Sequence, residues 1–146
     1  MLRIGWREWV ALPELGIRQI KVKVDTGART SALHAFELST YHVGDQEWVR
    51  FSLHPLQRNL QQVIECICPV LERRRVTDSG GHSEERIVIR TDIRLGDRRW
   101  PIDITLTDRE NMKFRMLLGR TAMDGLYVDP NASYLLGRKK RRKSES

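Results

Sequence analysis

The run Val22-Lys23-Val24-Asp25-Thr26-Gly27-Ala28 is a strand that ends in a turn built around a carboxylate. Ile20, Val22 and Val24 alternate with Lys21 and Lys23, the period-two pattern of a half-buried strand. Asp-Thr-Gly then supplies turn chemistry: a short acidic side chain that bonds its own backbone, and a glycine without a Cβ. Far downstream, Met116-Leu117-Leu118-Gly119-Arg120 carries a glycine after an apolar run. Such a segment can cross behind the turn, because glycine lets two backbones approach closely. Between the two lies Asp78-Ser79-Gly80-Gly81-His82, which reads as a long hairpin tip.

Working outward, period-two alternation dominates the chain. Val49, Phe51 and Leu53 alternate with Arg50 and Ser52. Ile64, Cys66, Cys68 and Val70 share one face of a further strand. Ile87, Ile89, Thr91, Ile93 and Leu95 form another series, and Trp100, Ile102, Ile104 and Leu106 the next. Val43-Gly44-Asp45-Gln46 and Leu95-Gly96-Asp97-Arg98 read as hairpin connections. The stretch from Pro55 to Gln62 is mostly polar and reads as a loop. Two short helices are expected, one after Ser31 and one around Thr121 to Leu126. Many short strands with regular turns predict an all-β barrel or sandwich.

The chain has 146 residues, 40% apolar and 31% charged, which is ordinary for one globular domain. A chain of this length buries roughly 68–70% of its unfolded surface, so it folds without needing a disulfide or a metal. No apolar run approaches the ~20 residues of a membrane-spanning helix, and Met1 to Glu8 has no apolar core of a secretion signal. Cys66 and Cys68 are too close for a disulfide framework. These features predict a reducing, cytoplasmic setting.

The net charge is +7, but Gly137 to Ser146 holds six cations and one anion. The remainder has 20 cations against 18 anions, net +2. The expected division is therefore a folded domain over 1–136 and a disordered basic tail over 137–146. The tail reads either as a salt-sensitive tether to RNA, ribosomes or an acidic polymer, or as a solubilising appendage.

The order of strand, Asp25-Thr26-Gly27-Ala28, hairpin, strands and Leu117-Leu118-Gly119-Arg120 resembles the retropepsin-like aspartic proteases. The match is closer to a bacterial and archaeal branch, RimB-like and labelled ATP-dependent zinc protease. That branch is often linked to ATP-grasp glutamate ligases of the RimK type. Gly5-Trp6-Arg7-Glu8-Trp9-Val10, Leu12-Pro13-Glu14-Leu15-Gly16-Ile17, Lys23 through His34, and Leu106 through Glu110 carry this closer resemblance. It spans about residues 4 to 136 and implies a closed, retropepsin-like β-barrel with one or two short helices.

Peptide hydrolysis of this kind uses two carboxylates sharing one proton, one activating water and the other donating to the carbonyl oxygen. The chain has a single Asp-Thr-Gly, so the second must come from a symmetric partner. The resemblance implies a homodimer with Met1 to Val10 and Ser133 to Leu136 at its interface. By matched position, Asp25 is the catalytic carboxylate. Thr26 hydrogen-bonds across the pair, and Gly27 leaves room for the substrate backbone. Gly80, Gly81 and His82 form a flap tip over the substrate, and Gly119 packs behind the site loop. Ala28 follows the turn at the substrate side.

The chain departs from the retroviral pattern at Arg29, where an acidic residue usually pairs with the arginine matching Arg120. Arg29 and Arg120 are like charges here, so each needs another partner, and an acidic or glutamate-modified peptide is one. A cation near the dyad also favours ionised carboxylates, at a cost to the half-protonated pair.

Zinc, which the label suggests, finds little in the sequence. His34, His42, His54 and His82 form no His-Glu-x-x-His, and Cys66-Ile67-Cys68 lacks a second ligand pair. No metal or other cofactor is expected. His34 is expected to be packed. Trp6, Trp9, Trp48 and Trp100 are expected to be core or interface anchors. The rival readings are a non-catalytic module that binds acidic protein or RNA through Arg29, Arg120 and the tail, and a zinc-dependent peptidase.

Overall fold

The computed structural model describes residues 2–55, 62–77, 80–108 and 114–136. Eleven strands make up these residues: β1 (Leu2–Leu12), β2 (Ile17–Val24), β3 (Ser31–His34), β4 (Phe36–Val43), β5 (Gln46–Leu53), β6 (Ile64–Pro69), β7 (Glu72–Thr77), β8 (Ser83–Leu95), β9 (Arg98–Thr107), β10 (Met116–Leu118) and β11 (Leu126–Ser133). The main sheet runs β11-β1-β2-β10-β3-β9-β8-β7, and β1 also pairs with β8 at Ala11 and Arg94. The strands β1, β2, β10, β3, β9 and β8 therefore form a closed ring, with β11 and β7 as outer edges. A second sheet, β4-β5-β6, packs against it.

The alternating series land as the sequence predicts. Ile20, Val22, Val24, Val49, Phe51, Leu53, Ile89, Ile93 and Ile104 are buried in one core shared by both sheets. Burying each such side chain contributes roughly 1.5–3 kcal/mol. The Gly44-Asp45 and Gly96-Asp97 turns connect β4 to β5 and β8 to β9, with positive φ of 61° at both glycines.

The helix expected after Ser31 is absent. Residues 31–34 are strand β3, buried along its whole length between β10 and β9. A central strand covered on both faces loses the polar alternation that marks a strand in sequence. The second expected helix is a single 3-10 turn, Arg120–Ala122. Pro13–Leu15 forms another. Residues 56–61 of the expected loop, Asp78 and Ser79 of the hairpin tip, and the tail at 137–146 lie outside the described residues.

One buried carboxyl ties β1 to residues 135 and 136. Glu8 is fully buried on β1. Its carboxylate accepts backbone N–H bonds from Gly5 (2.7 Å), Leu135 (2.8 Å) and Leu136 (3.2 Å). A carboxylate can be held out of water only when its oxygens are satisfied in this way.

Candidate active site

Strand β2 delivers Asp25 to the end of the ring. The Asp25 amide donates to the Leu118 carbonyl (2.9 Å), which prolongs the parallel β2–β10 pairing by one bond. The turn then closes on itself. Ala28 N–H donates to the Asp25 carbonyl (3.2 Å), and Gly27 N–H to Asp25 Oδ1 (3.0 Å). The Asp25 side chain is half-buried, while Thr26 and Gly27 are exposed.

Behind this turn crosses the second segment. Gly119 N–H donates to Ser31 Oγ (3.0 Å), Arg120 N–H to the Ala28 carbonyl (2.8 Å), and Thr121 N–H to the Arg29 carbonyl (3.0 Å). A Cβ on Gly119 would stand 2.5 Å from the Thr30 carbonyl carbon and 2.7 Å from its oxygen. No side chain fits there, and the close crossing expected of this glycine is realised. Ser31 is itself fully buried, and its carbonyl accepts from Thr105 Oγ1 (3.1 Å).

The two arginines singled out from sequence differ in surroundings. Arg120 Nη1 donates to the Thr26 carbonyl (3.1 Å), so it braces the turn from outside. Arg29 is exposed, with no side-chain partner among the described residues.

Beside the turn lies a groove of about 410 Å³, lined by Ala28 and Arg29 from the site loop and by Arg74, Arg75 and Val76 from β7, with Arg86 from β8 among the others. Four arginines, Arg29, Arg74, Arg75 and Arg86, thus surround one groove. Gly80, Gly81 and His82 are exposed at the far end of the β7–β8 hairpin, where Gly81 has φ +85°. They do not line the groove, and neither does Asp25. Sequence reasoning missed Ser31, Arg74 and Arg86. Arg73-Arg74-Arg75 was the available signal, three consecutive cations beside a glycine-tipped hairpin.

Among the described residues, no group of three or more His, Cys, Asp or Glu side chains comes together. They offer no donor set for the zinc that the resemblance suggested. Cys66 and Cys68 face the core, and burial pushes their thiols up to about 12 and about 11. His34 is packed in β3, 3% exposed, and burial holds its imidazole below the ordinary value. Trp6 meets Phe114 edge-on, Trp9 stacks on Tyr134, and Trp100 Nε1 donates to the Ala122 carbonyl (3.1 Å).

The first and last strands meet within a single chain. β1 pairs in parallel with β11 from Leu2 and Leu126 onward, and Arg7 aligns with Ser133. The outer edge of β11 has no strand partner among the described residues, and Tyr127 on it is 62% exposed.

Residues 3–139 match the family described as RimB-like, the retropepsin-like aspartic endopeptidase RimB. Proteins named "Probable alpha-L-glutamate ligase" are similar to 92–93% of the chain: 47% identical from Desulfotalea psychrophila and from Parasynechococcus marenigrum, and 44% identical from Shewanella pealeana. The chain spans only 29–30% of the length of these relatives. A solved Legionella pneumophila protein of unknown function, Lpg0085, has the same fold, with TM-score 0.77 over 92% of this chain and 98% of that one, at 23% identity.

Proposed function

Because the chain belongs to the RimB-like family, that of the retropepsin-like aspartic endopeptidase RimB, we propose that it is one half of a homodimeric aspartic endopeptidase for acidic or glutamate-modified peptides. The observation that carries this reading is the braced turn. Asp25 is half-buried, its side chain held by Gly27 N–H and its amide by the Leu118 carbonyl.

Two Asp25 carboxyls, one from each protomer, share a single proton in this mechanism. The ionised one takes a proton from water as the water oxygen bonds to the peptide carbonyl carbon. The protonated one gives its proton to the carbonyl oxygen, leaving a neutral gem-diol. The carboxyl that took the water proton then gives it to the nitrogen, the gem-diol gives one hydroxyl proton to the other carboxylate, and the C–N bond breaks, releasing a carboxylic acid and an amine and restoring the pair with its one proton. No covalent enzyme intermediate forms. Thr26 hydrogen-bonds across the pair and stiffens the two loops. Gly27 and Ala28 let the substrate backbone pass, and Gly80, Gly81 and His82 close over it. The open edge of β11 and the terminal segments supply the dimer contact.

The arginine-lined groove supports an acidic substrate, since guanidinium groups recognise carboxylates by paired, charge-assisted hydrogen bonds. The relatives are named as glutamate ligases and are about three times longer than the part matched here. The chain would thus hydrolyse peptides that an ATP-driven glutamate ligation has extended. Its place is cytoplasmic, and its basic tail contacts RNA or ribosomes.

A second reading has its own observation. The groove is complete within one protomer, so a module that only binds acidic peptides needs neither the dimer nor the Asp25 carboxyl. Asp25→Asn in the full chain separates the two. A peptidase loses cleavage of an oligoglutamate peptide and keeps its fold; unchanged cleavage overturns the Asp25 mechanism.

A further inference from the structure

Strands β7 and β8 set two arginines directly opposite each other. In the ladder, Glu72 aligns with Val88, Arg74 with Arg86, and Val76 with Glu84. Like charges opposed across a ladder destabilise it, and this pair turns toward the groove beside the site loop. Each arginine is neutralised along its own strand. Arg74 Nη2 pairs with Glu72, and Arg86 Nε donates to Glu84 Oε1 (2.6 Å). Arg74 Nη1 also donates to Thr30 Oγ1 (2.9 Å), which ties the hairpin to the site loop. The Arg86 side chain is only 12% exposed, whereas that of Glu84 is 58% exposed.

This asymmetry matters. A guanidinium already sunk in the groove has lost much of its water, so a carboxylate that reaches it gains strongly. Glu84 holds that position from the solvent side, and Glu72, 47% exposed, pairs with the more open Arg74, 36% exposed; both carboxylates can swing away into water at little cost. An incoming carboxylate therefore exchanges with an internal one. Exchange favours a chain of acidic side chains over a single acid, because neighbouring carboxylates on one strand bind together once the first is seated.

We infer that Arg74 and Arg86 are the specificity-determining pair for acidic substrate, and that Glu72 and Glu84 are built-in competitors for the same two guanidinium groups. The inference rests on the acidic-substrate reading but not on the Asp25 chemistry.

The test measures binding of a fluorescent penta-L-glutamate peptide, and of its penta-glutamine counterpart, to the full chain carrying Asp25→Asn. Arg74→Met and Arg86→Met should each weaken pentaglutamate binding at least about tenfold, and Arg86→Lys less. Glu72→Gln with Glu84→Gln should tighten it several-fold, with pentaglutamine unchanged throughout. Thermal unfolding checks each variant. If the methionine variants do not fold, the glutamine double variant decides alone. Unchanged affinity in both methionine variants, or unchanged or weaker binding in the glutamine double variant, overturns the inference. Arginine-dependent binding without cleavage by the unsubstituted chain overturns the peptidase reading and leaves this inference standing. Cleavage that prefers pentaglutamate equally with and without Arg74 and Arg86 does the reverse.

Discussion

Gly119 crosses so close to Thr30 that a Cβ there would lie 2.5 Å from the Thr30 carbonyl carbon, well inside contact distance. The crossing is what lets Ser31 Oγ reach the Gly119 amide and what keeps Leu118 in line to receive the Asp25 amide. The site turn is thus held by packing from a segment remote in sequence.

Gly119→Ala should therefore destabilise the fold by about 1–3 kcal/mol, the usual cost of forcing extra volume into a packed site. Urea unfolding would measure it. Any peptidase activity should fall further than the folded fraction does, because the Asp25 turn shifts with Thr30. A stable variant with full activity would contradict the bracing role.

Asp25→Asn should leave the urea midpoint nearly unchanged, since the amide oxygen can still accept from Gly27 N–H. Cleavage of oligoglutamate should drop by ~10³-fold, within the range for losing a positioned acid–base group. Matched turnover assays and unfolding curves test both halves.

Glu8→Gln replaces one acceptor oxygen with an amide donor that faces the Gly5, Leu135 and Leu136 amides. The expected loss is about 2–4 kcal/mol, since hydrogen bonds to a buried charge are among the stronger ones. Hydrogen exchange should accelerate first at Leu135 and Leu136. Uniform exchange, or none, would show that Glu8 does not hold Leu135 and Leu136.

His34 gives a pH dependence with a definite sign. Burial, aided by Arg115, lowers its folded pKa below the ordinary 6.5. Between those two values the unfolded chain binds the proton more readily than the folded one. Stability from the neutral imidazole is full above about 6.5 and is lost as the pH falls toward the folded value. The urea midpoint should fall between pH 7.5 and pH 5, and His34→Gln should flatten that slope. An identical slope in both proteins would assign it elsewhere.

The strand faces were legible because alternation is a local property: Val49, Phe51 and Leu53, or Ile87 to Leu95, need only one buried face to reveal themselves. The Asp-Thr-Gly turn and the glycine that backs it were legible for a similar reason, since few residue types allow a carboxylate turn with a backbone crossing behind it. Strand β4 escaped because it is exposed from Ser39 onward, and β3 because it is buried throughout.

The sequence alone therefore determined the all-β class, the main core faces and the position of Asp25. Only the tertiary structure decided what surrounds that aspartate. It paired β1 with β11 within a single chain, closed the ring through Ala11 and Arg94, and stood Arg74 opposite Arg86 beside the site loop. Register and ring closure join residues far apart in the chain. They follow from how all the strands share one core and not from any local run of residues.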